Sequence, residues 1–373
     1  MSVTIKKVER RAELKRFIRF PLALYKGCPN WVPALEGDEF DTFNPKKNGA
    51  YDFCESVCYL AEKDGKTAGR IAGVINHKAN TQWKEKSVRF GWLDFIEDEE
   101  VLRALIDAVE AWGREKGCDA IKGPMGFTDM DKEGLLIEGY GHLSPFTCLY
   151  NFPYYSTMLE KLGFVKEADW TQRSVEIGPE LPPMYQYAGL IEQKYGIHVI
   201  NDLSMRELGR RYGLKIFRMY NEAFAPLFQF APLTDRQIKD YLDTYVPILD
   251  KRFVAVCIDK DDNPVGFCFC VPTLSRAVKK SNGRLFPFGL FRILKALRKN
   301  DTLEALIMGV LPEWQGNGVT LLMFKHLHEN CIKAGVRQMI LNPQLEDNFK
   351  VQSLFGDYKT EPFMRRRAYT KPI

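Results

Sequence analysis

One strand that ends in a proline and passes through two glycines into a helix strongly constrains this fold. The stretch runs from Glu304 to Ala334 and reads EALIMGVLPEWQGNGVTLLMFKHLHENCIKA. An apolar strand is followed by Leu311-Pro312, a Gln-Gly-Asn-Gly turn and an amphipathic helix. N–H groups in the first helical turn have no partner within the helix, and the helix dipole favours negative charge there. The stretch therefore predicts an anion-binding site at the start of this helix.

The rest of the chain is long enough for two domains and shows a repeated order of elements. A chain of 373 residues is long for a single core. The order strand, helix, helix, hairpin, strand, helix, strand, helix, strand occurs twice in outline, with matching hairpins that begin at Val57 and Phe253. A proline cluster separates the two halves. We therefore expect an α/β fold with mixed (α+β) sheets, in two domains covering residues 1–180 and 181–373.

Composition excludes several classes of protein. The nine cysteines are odd in number and lie mostly in apolar runs, which is typical of buried reduced thiols. Cys54 and Cys58 have no Cys or His pair at metal-site spacing, so no metal site is expected. No apolar run could span a bilayer, and the beginning of the chain lacks the apolar core of a signal peptide, so a cytoplasmic protein without stable membrane insertion is predicted. The net charge of +5 favours anionic small molecules and does not indicate a nucleic-acid partner.

The glycine turn carries a resemblance to a known family. The order Val310, Pro312, Gln315, Gly318, Thr320 resembles the acyl-CoA-binding signature of the GNAT acyltransferase superfamily. That signature is Gln or Arg, two residues, Gly, one residue, and Gly or Ala. Thr320 departs from it at the last position. The order of strands and helices resembles the same family over nearly the whole second half, and the first half resembles it in element order alone.

The resemblance implies two tandem acyl-CoA N-acyltransferase-like domains, of which the second binds acetyl-CoA or another acyl-CoA. In the family, the break after the strand splays two strands and admits the pantetheine arm, while backbone N–H groups bind the pyrophosphate. Carried over by position, the resemblance assigns the following residues to acyl-CoA binding: Val310, Leu311, Gln315, Gly316, Asn317, Gly318, Val319, Thr320 and Asn348.

The resemblance also implies two catalytic positions. Glu304 lies eleven positions before Gln315, on the strand where some family members carry the general base. The alternative for Glu304 is a solvent-facing residue at the start of a strand. The usual acid is a tyrosine seven residues after Asn348, and this chain has Phe355 there. Tyr358 is the nearby substitute, with Tyr369 a second one.

The first half differs at the position that corresponds to the glycine turn. Its helix is preceded by Phe95-Ile96-Glu97-Asp98-Glu99, whose acidic residues would repel a pyrophosphate. We therefore predict that the first domain does not bind CoA. The loop from Gly123 to His142 contains Asp129, Asp131 and Glu133, which would hold an amine or a metal, or simply solvate the loop.

These observations predict an N-acyltransferase, in the first place an N-acetyltransferase, that acts on a small-molecule amine or amino-acid-like acceptor. The alternatives are a catalytically silent acyl-CoA-binding or sensing protein and a Fem-like aminoacyl transferase. Two further expectations concern single elements. His326, and not His328, should lie on the apolar face of the signature helix. Residues 276–300 have no counterpart in the first half; they form a lid, a surface helix that touches acidic lipid, or an ordinary packed insertion.

Overall fold

The structure is a computed structural model that describes residues 2–373. In the first half of the chain the strands and helices are, in order, β1 (Thr4–Lys7), α1 (Arg11–Leu24), α2 (Glu36–Thr42), β2 (Cys54–Lys63), β3 (Lys66–Asn76), α3 (His77–Trp83), β4 (Ser87–Phe95), α4 (Glu99–Glu115), β5 (Ala120–Gly123), β6 (Leu135–Glu138), α5 (Tyr154–Lys161) and β7 (Val165–Glu176).

The second half repeats this order with additional helices. Its elements are α6 (Ala188–Tyr195), β8 (His198–Val199), α7 (Met205–Phe224), α8 (Asp235–Tyr245), β9 (Val254–Ile258), β10 (Pro264–Pro272), α9 (Ser275–Lys280), α10 (Gly289–Arg298), β11 (Thr302–Val310), α11 (Val319–Ala334), β12 (Gln338–Ile340), β13 (Gln344–Leu345), α12 (Phe349–Ser353) and β14 (Thr360–Pro372). Among residues 2–373, no helix combines the length and apolar composition needed to cross a lipid bilayer.

The two predicted hairpins are confirmed, and their turn residues explain them. β2 and β3 pair antiparallel, and the turn between them places Asp64 at φ 54° and Gly65 at φ 74°. Two successive positive φ values match the right-handed twist of the flanking strands, and Asp-Gly adopts them readily. β9 and β10 form the corresponding hairpin of the second half, with Asp262 at φ 62° in its turn.

The chain divides into two compact units. The first comprises residues 2–171, 275–292 and 364–373, and the second comprises residues 172–274 and 293–363. This division differs from a single cut between residues 180 and 181, because two later segments of the chain belong to the first unit. Each unit has its own hydrophobic core, one around Phe90, Leu102 and Tyr155, the other around Val265, Leu303 and Met323.

The two units have sheets of the same order and direction. In the first unit β1, β2, β3 and β4 are antiparallel neighbours, and β5 is parallel to β4. In the second unit β8, β9, β10 and β11 are antiparallel neighbours, and β12 is parallel to β11. Each sheet is therefore mixed, as expected for the α/β fold.

The strands that close the two sheets are exchanged. Tyr369–Pro372 of β14, from the end of the chain, pair antiparallel with β5 in the first unit. Ser174–Glu176 of β7, from the middle of the chain, pair antiparallel with β12 in the second unit. The sequence order suggests that each half would close with its own last strand. The choice between two similar strands is a long-range one, so local pattern does not reveal it.

Three segments differ from their sequence-based expectation. The stretch His198–Leu203 predicts a strand, but only the two-residue β8 forms there. Residues 30–52 contain Pro, Asp and Asn and predict a long irregular loop, but they include α2. The loop from Gly123 to His142 contains β6, which pairs with Arg365–Arg367 of β14. In this last case the strand exists because of a distant partner, so the local sequence carries little sign of it.

Candidate functional site

The glycine turn leads into α11, and backbone N–H groups at this junction have no hydrogen-bond acceptor among residues 2–373. A 3₁₀ turn at Pro312–Trp314 precedes Gly316 and Gly318, whose φ values are 82° and 83°. Gly318 caps α11, and no side chain accepts a hydrogen bond from the helix start. In the described part of the chain, the N–H groups of Gly316 and Gly318 have no backbone acceptor. Together with the first-turn N–H groups of α11, they form the donor set expected for an anion.

Close packing fixes the position of this helix start. A Cβ on Gly318 would lie 2.7 Å from the Ile191 side chain of α6. A Cβ on Gly266 of β10 would lie 2.4 Å from Val319 Cγ1, at the first residue of the helix. Both glycines are therefore required for close approach, and α11 begins in contact with β10 and α6.

The polar side chains of the turn bind its own backbone. Gln315 Nε2 donates to the Val310 carbonyl at 3.3 Å, and Asn317 Nδ2 donates to the Glu313 carbonyl at 3.3 Å. Thr320 is half-buried and Val319 is buried, so both belong to the packed side of the helix start. The predicted acyl-CoA residues from Leu311 to Thr320 therefore form one continuous segment, whose polar side chains bond to the backbone of the turn itself.

The strand before the turn loses one of its two neighbours partway along its length. β11 pairs with β12 only at Thr302, Leu303 and Glu304. From Ala305 to Val310 its described hydrogen-bonded neighbour is β10 alone. The opening therefore begins after Glu304 and not at Leu311-Pro312, which corrects the expectation that the proline splays the strands. β12 itself ends at Ile340, where the Leu341 N–H donates to the Arg173 carbonyl on the other side, and Pro343 has no N–H to donate.

A β-bulge occurs in β11 at the same point. Ile307 is opposite Phe269 and Ala305 is opposite Cys270, so Leu306 is an extra residue without a partner in the register. A bulge bends its strand and increases the local twist. Residues 305–308 are all half-exposed, on both faces of the strand. An accessible strand edge therefore leads from Glu304 to the glycine turn.

Glu304 lies where the two strands part. It is the last residue of β11 that pairs with β12, opposite Ile340, and it is only 2% exposed. The Thr273 hydroxyl donates a hydrogen bond to its carboxylate. The alternative of a solvent-facing residue at the strand start is therefore wrong. Thr273 is a partner that the sequence did not indicate, because it lies on a separate segment after β10.

The predicted acid, Tyr358, belongs to an aromatic cluster on α11. Its ring stacks on His328 with centroids 5.8 Å apart, and its hydroxyl is hydrogen-bonded to that of Tyr185. Phe355, at the usual tyrosine position, stacks on Phe324 at 5.2 Å. Burial raises the pKa of Tyr358 to about 12, so its hydroxyl is protonated at neutral pH.

Two other predicted positions have structural roles. Asn348 caps α12, and its side chain accepts from the Val351 N–H at 3.4 Å. Tyr369 is fully buried in the core of the first unit and donates to Glu160 at 2.9 Å.

His328 is buried whereas His326 is half-buried, the reverse of the expectation for these two histidines of α11. His328 Nε2 bonds to the Gly178 carbonyl at 3.2 Å, and burial lowers the pKa of the ring.

The corresponding helix of the first unit has a closed start. Asp98 caps α4, and its carboxylate accepts from the N–H groups of Glu100 at 3.0 Å and Val101 at 3.3 Å. Lys63 Nζ lies 2.5 Å from the same carboxylate. The donors that would bind a phosphate are therefore already occupied by a side chain.

Several half-buried carboxyl groups of the first unit have raised pKa values. Burial and the nearby Asp129 raise the pKa of Glu133 to about 8, and burial raises the pKa of Asp131 to about 6. Glu39 of α2 also has a raised pKa because of burial, and it accepts from the Trp92 indole at 2.9 Å. The sequence missed Glu39 because α2 lies in a segment expected to be a loop. Among residues 2–373, no three His, Cys, Asp or Glu side chains are arranged to hold a metal ion.

A surface cavity of about 620 Å³ lies elsewhere in the second unit. Its lining includes Glu176, Gly178, Arg337, Gln338 and Lys359. None of the predicted acyl-CoA or catalytic residues lines it, so it is separate from the glycine turn.

Two curated relatives resemble the chain over almost its whole length. Protein YghO of Escherichia coli (strain K12) is 29% identical over 376 residues, which is 97% of this chain and 93% of that protein. Bacterial ceramide synthase of Caulobacter vibrioides (strain NA1000 / CB15N) is 24% identical over 374 residues, which is 98% of this chain and 96% of that protein. No model of a known protein family matches the chain.

Solved structures resemble the whole chain in fold. A tandem GNAT protein from the clavulanic acid biosynthesis pathway has a TM-score of 0.57 and 11% sequence identity, covering 100% of this chain and 98% of that chain. A GCN5-related N-acetyltransferase from Sphaerobacter thermophilus has a TM-score of 0.53 and 12% identity, covering 99% of this chain and 95% of that chain. Two units with the same sheet order and full-length matches of this kind show that the chain has the tandem GNAT fold.

Proposed function

We propose that this protein transfers an acyl group from acyl-CoA to an amine, and that the second unit binds the acyl-CoA. The observation that carries the proposal is the uncapped start of α11 at Gly318, reached along a strand edge that opens after Glu304. The tandem GNAT fold supports it. The first unit offers no equivalent site, because Asp98 occupies the start of α4.

The glycine turn suits a pyrophosphate. The N–H groups of Gly316, Gly318, Val319 and Thr320 would hold its oxygens, since neither glycine places a side chain over the backbone. The positive end of the α11 dipole favours the same charge. The free edge of β11, from Ala305 to Val310, offers backbone donors and acceptors that match the amides of a pantetheine arm.

The chemistry requires an amine nitrogen to attack the thioester carbonyl. The C–N bond forms and the C–S bond breaks, and the ammonium loses two protons in becoming an amide nitrogen. The leaving thiolate takes up one of these protons and solvent takes up the other. We assign Glu304 as the base and Tyr358 as the acid. Glu304 is buried at the opening, where its carboxylate is held by Thr273, and Tyr358 is protonated at neutral pH. Holding both reactants together supplies much of the rate in such a reaction.

For the acceptor we infer a long-chain amine. Support comes from the relative named Bacterial ceramide synthase, which matches 98% of this chain at 24% identity. A ceramide is the amide of a fatty acid and a long-chain amino alcohol. The reaction proposed for this chain is of the same chemical kind, and the acyl donor would then be a long-chain acyl-CoA.

Calorimetry with acetyl-CoA and with palmitoyl-CoA tests the binding site. Asn317→Asp keeps the size of the side chain and adds a negative charge between the two glycines. At close range this repulsion is worth about 1–4 kcal/mol, so we expect affinity to fall at least about tenfold. Asn201→Asp, at an exposed position of the same unit, is the matched control and should bind like wild type. Equal affinity of all three proteins would place the ligand elsewhere, and no binding at millimolar ligand would refute the proposal.

Release of free thiol tests the chemistry. Palmitoyl-CoA and acetyl-CoA are each offered with sphinganine, spermidine and glycine. We expect release with sphinganine, and at least about a hundredfold lower turnover for Glu304→Gln with unchanged acyl-CoA affinity. Glu361→Gln, an exposed position, is the control for loss of one charge. Turnover of Glu304→Gln within twofold of wild type would remove Glu304 as the base. Binding without thiol release for every amine would instead identify a silent acyl-CoA-binding protein, which the phenylalanine at position 355 would favour.

A further inference from the structure

A short segment after α9 exposes a concentration of large apolar side chains. Within residues 285–294, Phe286 is 76% exposed, Phe291 is 70% exposed and Phe288 is 65% exposed. Leu285, Leu290 and Leu294 are also exposed. Single exposed apolar residues are ordinary, but six within ten positions form a patch of the kind that marks a binding surface. We call residues 284–299 the apolar-basic segment.

The helix of this segment has three distinct sides. Gly289 and Ile293 of α10 are buried. Leu290, Phe291 and Leu294 are exposed and cover about 100° of the helix surface beside the buried side. Lys295 follows Phe291 by one turn and Arg298 follows Leu294 by one turn, so cationic groups flank the apolar ones. An ordinary surface helix turns its apolar side chains toward the core, whereas α10 exposes most of its large apolar side chains to solvent.

The charged side chains in this segment and just before it are all positive. Residues 275–300 contain eight Lys or Arg and no Asp or Glu, whereas the whole chain has a net charge of only +5. In the described part of the chain, Glu36 pairs with Arg284 at 3.4 Å. No carboxylate lies within ion-pair distance of Lys295, Arg298 or Lys299 among residues 2–373. Their charge is thus available to a partner.

The apolar groups are held on an ordered support. Leu290 N–H donates to the Leu285 carbonyl at 2.7 Å, and Arg292 Nη1 donates to the Lys280 carbonyl at 2.9 Å. A Cβ on Gly283 would lie 2.1 Å from the Ala34 carbonyl oxygen, so the segment begins in close contact with the backbone of its own unit. The exposed phenylalanines therefore sit on a fixed loop and helix.

We propose that the apolar-basic segment docks the protein onto an anionic phospholipid bilayer. Phe286, Phe288 and Phe291 enter the boundary between headgroups and acyl chains, and Lys295, Arg298 and Lys299 contact lipid phosphates. A helix with aromatic and leucine groups beside Lys and Arg lies in this manner in the membrane interface. α10 has ten residues and is too short to span the bilayer, so the contact is peripheral.

Charge complementarity selects this partner over a second copy of the chain. A symmetric dimer through this segment would place the same patch against itself and bring its unpaired cations together without any carboxylate. A nucleic acid would match the cations but would leave the exposed leucines and phenylalanines in water. An anionic bilayer satisfies both groups at once.

Flotation of the full-length protein with vesicles tests the proposal. Vesicles of phosphatidylglycerol and phosphatidylethanolamine are compared with vesicles of phosphatidylcholine, at 0.1 M and 0.5 M NaCl. We expect at least tenfold stronger binding to the anionic vesicles at the lower salt concentration. The triple variant Phe286→Ser, Phe288→Ser, Phe291→Ser and the double variant Lys295→Gln, Arg298→Gln should each lower that binding at least fivefold.

Matched controls use exposed positions outside the segment. Tyr187→Ser with Leu190→Ser removes exposed apolar groups, and Arg206→Gln with Arg210→Gln removes two cations from α7. Both controls should bind vesicles like wild type, and every variant should keep the wild-type melting temperature because only exposed groups change. Equal binding to both vesicle types, or triple and double variants that bind like wild type, would overturn the proposal. Loss of a wild-type dimer in the triple variant, measured by sedimentation, would instead assign the segment to self-association.

Discussion

At the scale of single residues, Tyr185 and Tyr358 provide a direct test of the proposed acid. Their hydroxyl groups share one hydrogen bond, so replacing either tyrosine leaves the other hydroxyl without that partner. The structural loss is therefore similar in Tyr185→Phe and Tyr358→Phe. A difference in turnover between the two variants would then report on chemistry and not on stability.

We expect both variants to lose about 1–3 kcal/mol in the free energy of unfolding, since a buried hydroxyl is left unsatisfied. Only Tyr358→Phe should lower kcat, by at least about tenfold. Thermal unfolding and thiol release measure the two effects. Because the pKa of Tyr358 is about 12, wild-type turnover should show no loss of this acid up to about pH 10. Equal kcat for the two variants would exclude Tyr358 as the acid.

Glu133 shows how burial changes a carboxyl group in the first unit. Its pKa is raised to about 8 from 4.5, mainly by burial and next by the charge of Asp129. The folded chain therefore binds this proton more tightly than the unfolded chain does. This group's contribution to stability is therefore complete below about pH 4.5 and is lost as pH rises toward about 8.

Glu133→Gln should remove this dependence. At pH 9 we expect the variant to be more stable than wild type by at least about 1 kcal/mol, a value reduced from the full shift because the side chain is only half-buried. At pH 4 the two proteins should melt at nearly the same temperature. Glu138→Gln, an exposed position on β6, should have little effect at either pH. A variant that is no more stable than wild type at pH 9 would contradict the raised pKa.

At the scale of elements, α4 and α11 occupy equivalent positions in two similar sheets but have opposite starts. Asp98 fills the start of α4 with its own carboxylate, whereas Gly318 leaves the start of α11 open. A single cap residue thus decides whether a helix stabilises itself or offers its donors to a ligand.

Asp98→Ala should loosen the first turn of α4, because a lost N-cap costs about 0.5–2 kcal/mol. Asp98→Asn keeps the acceptor oxygen and loses mainly the Lys63 ion pair, so its effect should be smaller. Hydrogen exchange of residues 99–115 measures both, and residues 319–334 serve as the internal reference. Identical exchange in the two variants would show that the cap contributes little.

At the scale of the whole molecule, the exchanged strands couple the end of the chain to the stability of the first unit. Tyr369 lies in the core around Phe90 and Val109, although it is only four residues from the C-terminal end of the sequence. Arg365 and Arg367 bind the buried Asp169 at 2.8 Å and 2.7 Å, also within the first unit. Residues 364–372 of the final strand therefore belong to the unit that begins with the first residues of the chain.

Tyr369→Ala should cost about 3–5 kcal/mol, as expected for removing a buried aromatic side chain. Hydrogen exchange should increase in β5, at residues 120–123, more than in β12, at residues 338–340. Tyr369→Phe keeps the ring and loses only the bond to Glu160, so it should cost about 1–3 kcal/mol. Faster exchange confined to β12 would contradict the exchanged pairing.

Local sequence patterns predicted much of this architecture. Asp64-Gly65 determines a hairpin because its turn needs two positive φ values, and the apolar spacing from Val101 to Val109 determines α4 because one face must be buried. The turn at Gly316 and Gly318 was predicted for the same reason, since its conformation and its open donors depend on neighbouring residues alone.

Contacts between distant segments lie beyond local pattern. The partner of each closing strand, the opening after Glu304, and the bond from Thr273 to that carboxylate depend on segments far apart in the chain. The exposure of Phe286 and Phe291 depends on the same kind of packing, because an amphipathic pattern does not say which face the core covers. Neighbouring residues are therefore enough to specify the elements, the repeat and the anion-binding turn. Strand pairing and side-chain burial arise from contacts between segments that are far apart in the chain.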